Sequence, residues 1–130
     1  MQYTLFIQGS PFSSKACHSA YRFAQALLNS TQHSIEGVFF YEDSVLIANA
    51  LMQPPRDEAN ISILWQELAK QHSINLYVCI AAALRRGVIN ESEMVRHELT
   101  QHSLAEGFQL EGLGTLVHLI NNSHKTITFR

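Results

Sequence analysis

The chain has 130 residues and a mass of 14.7 kDa, 46% of them apolar and 15% charged. That size supports one domain (residues 1–130) with its own buried core, independent of any disulfide or metal. A formal net charge of −2 leaves no basic field to hold a phosphate backbone, so direct, tight nucleic-acid binding is not expected.

The opening run MQYTLFIQGSPF lacks a basic n-region, and its apolar stretch is too short for a signal peptide. The longest apolar run, Leu76 to Leu84, is too short to span a bilayer, so no membrane segment is expected. The expected setting is therefore the reducing cytoplasm, with Cys17 and Cys79 as free thiols.

Tyr3 to Gln8 reads as a first strand, stopped by Gly9 and Pro11 in GSPFSS. Ser13 or Ser14 is placed to cap the next helix, whose apolar face is Ala16, Ala20, Phe23, Ala24, Leu27 and Leu28. A second strand centres on Val38 to Tyr41. The Pro-rich loop Gln53 to Asn60 follows, and Asn60 caps a helix with Ile61, Leu64, Trp65, Leu68 and Ala69 on one side. Leu76 to Ile80 reads as a strand without polar alternation, suited to burial on both faces. Asn90 and Glu93 give a capping-box start to a helix expected to run to about Ala105, with Gly107 as its C′ residue. FQLEG, LGTLVHLINN and KTITF complete a strand, a helix and a last strand. This alternation predicts an α/β fold: a flavodoxin-like three-layer sandwich around a mostly parallel five-stranded sheet.

In such a sheet, reactions occur just outside the carboxyl ends of the strands. Cys79 stands at that end of the third predicted strand, within NLYVCIAAALRRG. Ala81, Ala82 and Ala83 leave room around its sulfur and favour a helical turn, whose N-terminus supports a thiolate. Arg85 and Arg86 add positive charge if they fold back. The competing reading is a core cysteine, since free cysteine is among the most buried residue types. Cys79 and Arg85 also share the C-x5-R spacing of thiolate phosphatases. That loop needs residues tolerant of unusual backbone angles, and CIAAALR has no glycine and prefers a helix.

The stretch VCIAAALRRGVINESE resembles the TusD/DsrE family of sulfur-relay subunits, with a DsrEFH-like fold. The likeness extends through AYRFAQALL, GVFFYEDSVLIANAL, WQELAKQH and GFQLEGLGTL, and so covers nearly the whole chain. It implies a sulfurtransferase whose active cysteine, matched here by Cys79, carries sulfane sulfur as a persulfide without metal or organic cofactor. It further implies TusB-like and TusC-like partner subunits in a heterohexamer (a dimer of heterotrimers), a TusA-like donor and a TusE-like acceptor. The sulfur would end in the 2-thiouridine at the tRNA wobble position, with no direct tRNA contact by this chain. Alternatives are a DsrE-type subunit of a sulfur-oxidation complex, or a non-catalytic assembly subunit with an inert Cys79.

Other residues carry weaker signals. Cys17 departs from the family pattern. A resolving role is conceivable if strands one and three are neighbours, against the reading of a small helix-packing residue. Tyr41, Glu42 and Asp43 end the second strand at the functional edge, where they line a pocket or begin a turn. The seven histidines show no metal-site spacing, since His97 and His102 fall on different helical faces. GSPFSS sits where a phosphate-cradling loop would, as in a flavin- or nucleotide-binding module, but lacks the glycine spacing. Trp65 reads as core or subunit interface.

Overall fold

The computed structural model describes residues 1–130. In chain order the elements are β1 (Gln2–Ile7), α1 (Ala16–Leu28), β2 (Ser34–Phe40), a 3₁₀ helix (Glu42–Ala48), α2 (Ile61–His72), β3 (Leu76–Cys79), α3 (Ile80–Arg85), α4 (Glu91–Arg96), β4 (Phe108–Glu111), α5 (Leu113–Asn122) and β5 (Lys125–Phe129). The five strands form one sheet in the order β4-β3-β2-β1-β5, and all four pairings are parallel. The expected α/β class with a five-stranded parallel sheet is what the chain adopts. The strand order does not meet the condition set for a resolving role of Cys17, because β2 lies between β1 and β3 and those two strands are not neighbours.

Strand alternation divides the sheet into two faces. On one, Tyr3 meets Phe23 of α1 edge-on at 6.0 Å, and Phe40 meets Trp65 of α2 at 5.7 Å and Phe108 at 5.9 Å. Trp65 is fully buried, as its core reading requires, and truncating such a ring costs about 3–5 kcal/mol. On the other face lies α5. Thr4 donates its hydroxyl to the Leu119 carbonyl at 3.1 Å, and a Cβ on Gly37 would stand 2.8 Å from Leu119 Cδ2. Gly37 is therefore the residue that lets α5 settle against the strands. Tyr77 flanks the same spot, so alternation puts Cys79, two residues on, on the α5 face.

The helix starts show both agreement and correction. Asn60 caps α2, accepting from Ser62 N at 3.1 Å and Ile63 N at 3.4 Å. The first helix instead begins after Lys15, and Ser14 serves from one position earlier by accepting from Ala16 N at 3.0 Å. Asn90 accepts from Glu93 N at 2.8 Å. The reciprocal half of the capping box is absent, because the Glu93 carboxylate turns toward His97 Nε2 at 3.2 Å and Arg96 at 3.5 Å.

The helix expected to reach Ala105 stops at Arg96. Glu98 takes a left-handed φ of 56°. The amide of Leu99 then returns to the Met94 carbonyl and that of Glu98 to Val95, which is a Schellman ending without glycine. Beyond it, Ala50 N donates to Ser103 O and Ala105 N to Ala48 O, each at 2.7 Å. These bonds draw the segment into an antiparallel bridge of Asn49 with Leu104. Gly107 is thus no helix terminus; it precedes β4.

Candidate functional site

Cys79 is the last residue of β3 and the N-cap of α3. The strand expected to reach Ile80 ends one residue sooner because Ile80 to Arg85, rich in alanine, turns helical at once. The first turn of α3 holds no acidic residue, so no carboxylate of that turn opposes a thiolate. Cys79 is 3% exposed, and it borders a cavity of about 310 Å³.

Three strand ends supply the walls of that cavity. Tyr41 and Glu42 follow β2, while Cys79, Ile80, Ala81, Ala82 and Arg85 come from β3 and α3. Gly112 and Leu113 follow β4. Six of these nine residues are apolar, so a sulfur placed there meets mostly hydrocarbon. The Tyr41 wall is fixed from behind, its ring stacked on Phe6 with centroids 6.0 Å apart and planes at 22°. The adjoining turn is held by Ser44, whose hydroxyl lies 2.6 Å from both the Ile7 and the Tyr41 carbonyls. Glu42 itself has a left-handed φ of 53°, an uncommon conformation for a residue with a side chain.

Of the residues singled out in the sequence, Tyr41, Glu42, Ala81, Ala82 and Arg85 gather around Cys79. Arg86 does not line the cavity. Its Nε donates to Asp43 Oδ1 at 2.9 Å and its Nη1 to the Ala82 carbonyl at 3.0 Å, and its Nη2 stands 3.8 Å from Glu42 Oε2. Arg85 has no carboxylate partner and is the cation that remains free at the cavity. Gly112 and Leu113 were missed. They directly follow FQLE, so the strand-end rule that selects Cys79 selects them too, once β4 is known to pair with β3.

The second cysteine is of a different kind. Cys17 is fully buried, with Sγ donating to the Gly9 carbonyl at 3.5 Å. Its own carbonyl accepts from Trp65 Nε1 at 3.2 Å. Burial pushes its thiol up to about 12, so at neutral pH it is a packing group, not a nucleophile. With β2 between β1 and β3, the adjacency that would have made it a resolving partner of Cys79 is also missing.

The GSPFSS loop is filled by its own chain. A Cβ on Gly9 would collide with Ser14 Oγ and stand 2.8 Å from Ala16 Cβ, while Ser10 Oγ accepts from Phe12 N at 3.1 Å. Larger concavities lie elsewhere, one of about 770 Å³ beside Lys15, His18 and Arg22, another of about 520 Å³ around Gln66 and Gln109. Each has only two apolar residues among the nine that line it, and neither holds a cysteine, so the smaller cavity at Cys79 is the candidate for thiol chemistry. No three His, Cys, Asp or Glu side chains group closely enough to hold a metal ion.

The model of the DsrE/DsrF-like family matches residues 1–129. The sulfurtransferase TusD homologue of Vibrio vulnificus (strain YJ016) is 43% identical over 129 residues, covering 99% of this chain and 98% of its own length. The sulfurtransferase TusD of Serratia proteamaculans is likewise 43% identical, covering 99% of each chain. Among solved structures, the ychN protein from E. coli superposes with a TM-score of 0.76 at 20% identity over 99% of this chain. That last likeness concerns the fold.

Proposed function

The chain belongs to the DsrE/DsrF-like family, among the TusD sulfurtransferases, and from that premise we propose that it carries sulfane sulfur as a persulfide on Cys79. The observation that supports this reading is the contrast between its two thiols. Cys79 opens on an apolar cavity at the carboxyl ends of three strands, whereas Cys17 is sealed in the core.

The chemistry needs one cysteine. The Cys79 thiolate attacks the outer sulfur of a donor persulfide, the donor's S–S bond breaks, and the donor leaves as a thiolate. Cys79–S–SH remains. An acceptor thiolate then attacks that outer sulfur, forms its own S–S bond, and releases Cys79 as a thiolate. No electrons are gained or lost overall. The apolar walls keep bulk water from the stored sulfur, and Arg85 offers positive charge to the thiolates that form and leave.

In this reading a TusA-like carrier loads Cys79 and a TusE-like carrier unloads it. The chain works beside TusB-like and TusC-like subunits in a heterohexamer, and its sulfur ends in 2-thiouridine of tRNA. The tRNA is met only by downstream carriers, in keeping with a net charge of −2. No helix is long and apolar enough to cross a membrane.

The test is intact-mass analysis and peptide mapping of the reduced protein after exposure to a persulfurated TusA-like donor. One added sulfur on the Cys79 peptide, lost on mixing with a TusE-like acceptor and absent in Cys79→Ser, is the expected result. A Cys79 that stays unmodified while partner subunits are present would replace this reading with that of a packing subunit.

A further inference from the structure

Two of the walls of the Cys79 cavity come from segments far apart in sequence: Tyr41 and Glu42 in one, Ala81, Ala82 and Arg85 in the other. One side chain bridges them. Arg86 leaves the end of α3 with its side chain only partly exposed, at 21%. It reaches the Asp43 carboxylate at 2.9 Å, the Ala82 carbonyl at 3.0 Å and the Glu42 carboxylate at 3.8 Å. Asp43 and Glu42 open the 3₁₀ helix, and Ala82 belongs to the wall that Cys79 begins. Arginine suits this task because its planar fork can address three acceptors in fixed directions, which an ammonium cannot.

We infer that Arg86 is a positioning residue that clamps the 3₁₀ turn to α3 and so sets the width of the entrance to the Cys79 sulfur. The inference rests on the reading of Cys79 as the sulfur carrier. Two further observations support it. Glu42 is held at a positive φ of 53°, a conformation that persists only where surrounding contacts impose it. Next, the clamp occupies Glu42 and Asp43 with a cation of their own, so Arg85 keeps its charge for the cavity. Asp43 and Glu42 are themselves half-exposed, so the ion pairs stabilise the fold only weakly. The role assigned to Arg86 is one of geometry.

The test measures access to Cys79 directly. Wild type, Arg86→Ala, Arg86→Lys and Asp43→Asn are alkylated with iodoacetamide and with the much larger iodoacetyl-biotin, well below the melting temperature. The Cys79 peptide alone is quantified. Both reagents react by the same displacement, so the ratio of their rates reports entrance width and cancels changes in thiolate population.

Arg86→Ala is expected to raise the large-to-small ratio on the order of threefold, a modest change matching the weak ion pairs involved. Arg86→Lys should restore it partway, since one ammonium reaches Asp43 but not all three acceptors. Asp43→Asn, which keeps Arg86 on Ala82, should show a smaller rise in the same direction and serves if Arg86→Ala fails to fold. A ratio equal to wild type in folded Arg86→Ala, or in Asp43→Asn where Arg86→Ala does not fold, overturns the clamp. The readout is independent of sulfur. If the ratio responds while Cys79 never takes up sulfur, the clamp stands and the persulfide reading falls; if sulfur moves and the ratio does not, the reverse holds.

Discussion

Cys79 and Glu111 stand in register as the last residues of the parallel neighbours β3 and β4, and the chain turns into a helix almost immediately after each. The cavity at the sulfur lies between those two departures and the end of β2, with Leu113 on the β4 side. Leu113 is 47% exposed, so a larger side chain there extends over the gap without displacing the core. Leu113→Trp is expected to slow both sulfur uptake and iodoacetamide alkylation of Cys79 by about tenfold, equivalent to about 1.4 kcal/mol of barrier. Thermal stability should stay close to wild type. Leu113→Ala should move alkylation the other way. Rates by peptide mapping, paired with melting curves, check both.

Burial of Cys17 should give the stability of the fold a distinct dependence on alkaline pH. Cys17 has an unfolded value near 9.0 and a folded one raised by burial to about 12, so above pH 9 the unfolded chain loses a proton that the native chain keeps. Stability from this group is therefore full below pH 9 and declines as pH rises toward 12. The total change is about 4 kcal/mol, at roughly 1.4 kcal/mol per unit. Cys17→Ser retains a donor for the Gly9 carbonyl and removes most of that dependence. The difference in urea-unfolding free energy between wild type and Cys17→Ser, followed from pH 8 to 11, is the measurement. Sulfur transfer in Cys17→Ser should match wild type, and a loss there would give Cys17 a part in the relay.

Much of the site was legible in the sequence because the rule behind it is local. A strand followed by a helix-forming alanine run puts its last residue at the sheet's carboxyl edge, and that residue is Cys79. The Asn60 cap and the apolar face of α2 were legible for the same reason. What escaped depends on contacts distant in sequence. The 3₁₀ helix at EDSVLIA is pinned by Ser44 bonding to the Ile7 carbonyl across the sheet. The Leu113 wall requires the β3–β4 pairing, and the direction of Arg86 requires Asp43 as its neighbour in space. The separation of β1 from β3 is likewise a property of strand order. The early end of α4 was hidden because its left-handed residue is a glutamate, where a glycine would have announced it.

That glutamate yields a prediction of the opposite sign from most substitutions. Glu98 and Ser73 both end helices with φ near 55°. Ser73 is followed by the same kind of return bond, from Ile74 N to the Ala69 carbonyl at 2.9 Å. A side chain in this region costs roughly 1–2 kcal/mol, part of which glycine gives back through the entropy of the unfolded chain. Glu98→Gly and Ser73→Gly should each stabilise by about 0.5–1 kcal/mol in urea unfolding. Because they terminate different helices, α4 and α2, the gains should add. Neither residue lines the cavity, so sulfur transfer should be unchanged.

The contact between Gly37 and α5 links the stability of the sheet to the shape of the site. A methyl group on Gly37 would meet Leu119 Cδ2 at 2.8 Å, Leu119 Cδ1 at 3.2 Å and Tyr77 Cε2 at 3.2 Å, and Leu119 is itself nearly fully buried. Gly37→Ala therefore has to lift α5 or turn the Leu119 side chain. Overpacking of this kind costs about 1–3 kcal/mol, which lowers the melting temperature by roughly 4–12 °C. Leu119→Ala alone opens a cavity and destabilises by about 2–5 kcal/mol. Combined with Gly37→Ala, the removed isobutyl group makes room for the added methyl, so the double variant should be more stable than the sum of the singles by on the order of 1 kcal/mol. Additive losses would mean that α5 moves as a rigid body away from the strands. In that case Leu113, on its first turn, moves with it, and Cys79 alkylation in Gly37→Ala should accelerate. A positive coupling energy with unchanged alkylation would instead confine the adjustment to the Leu119 side chain.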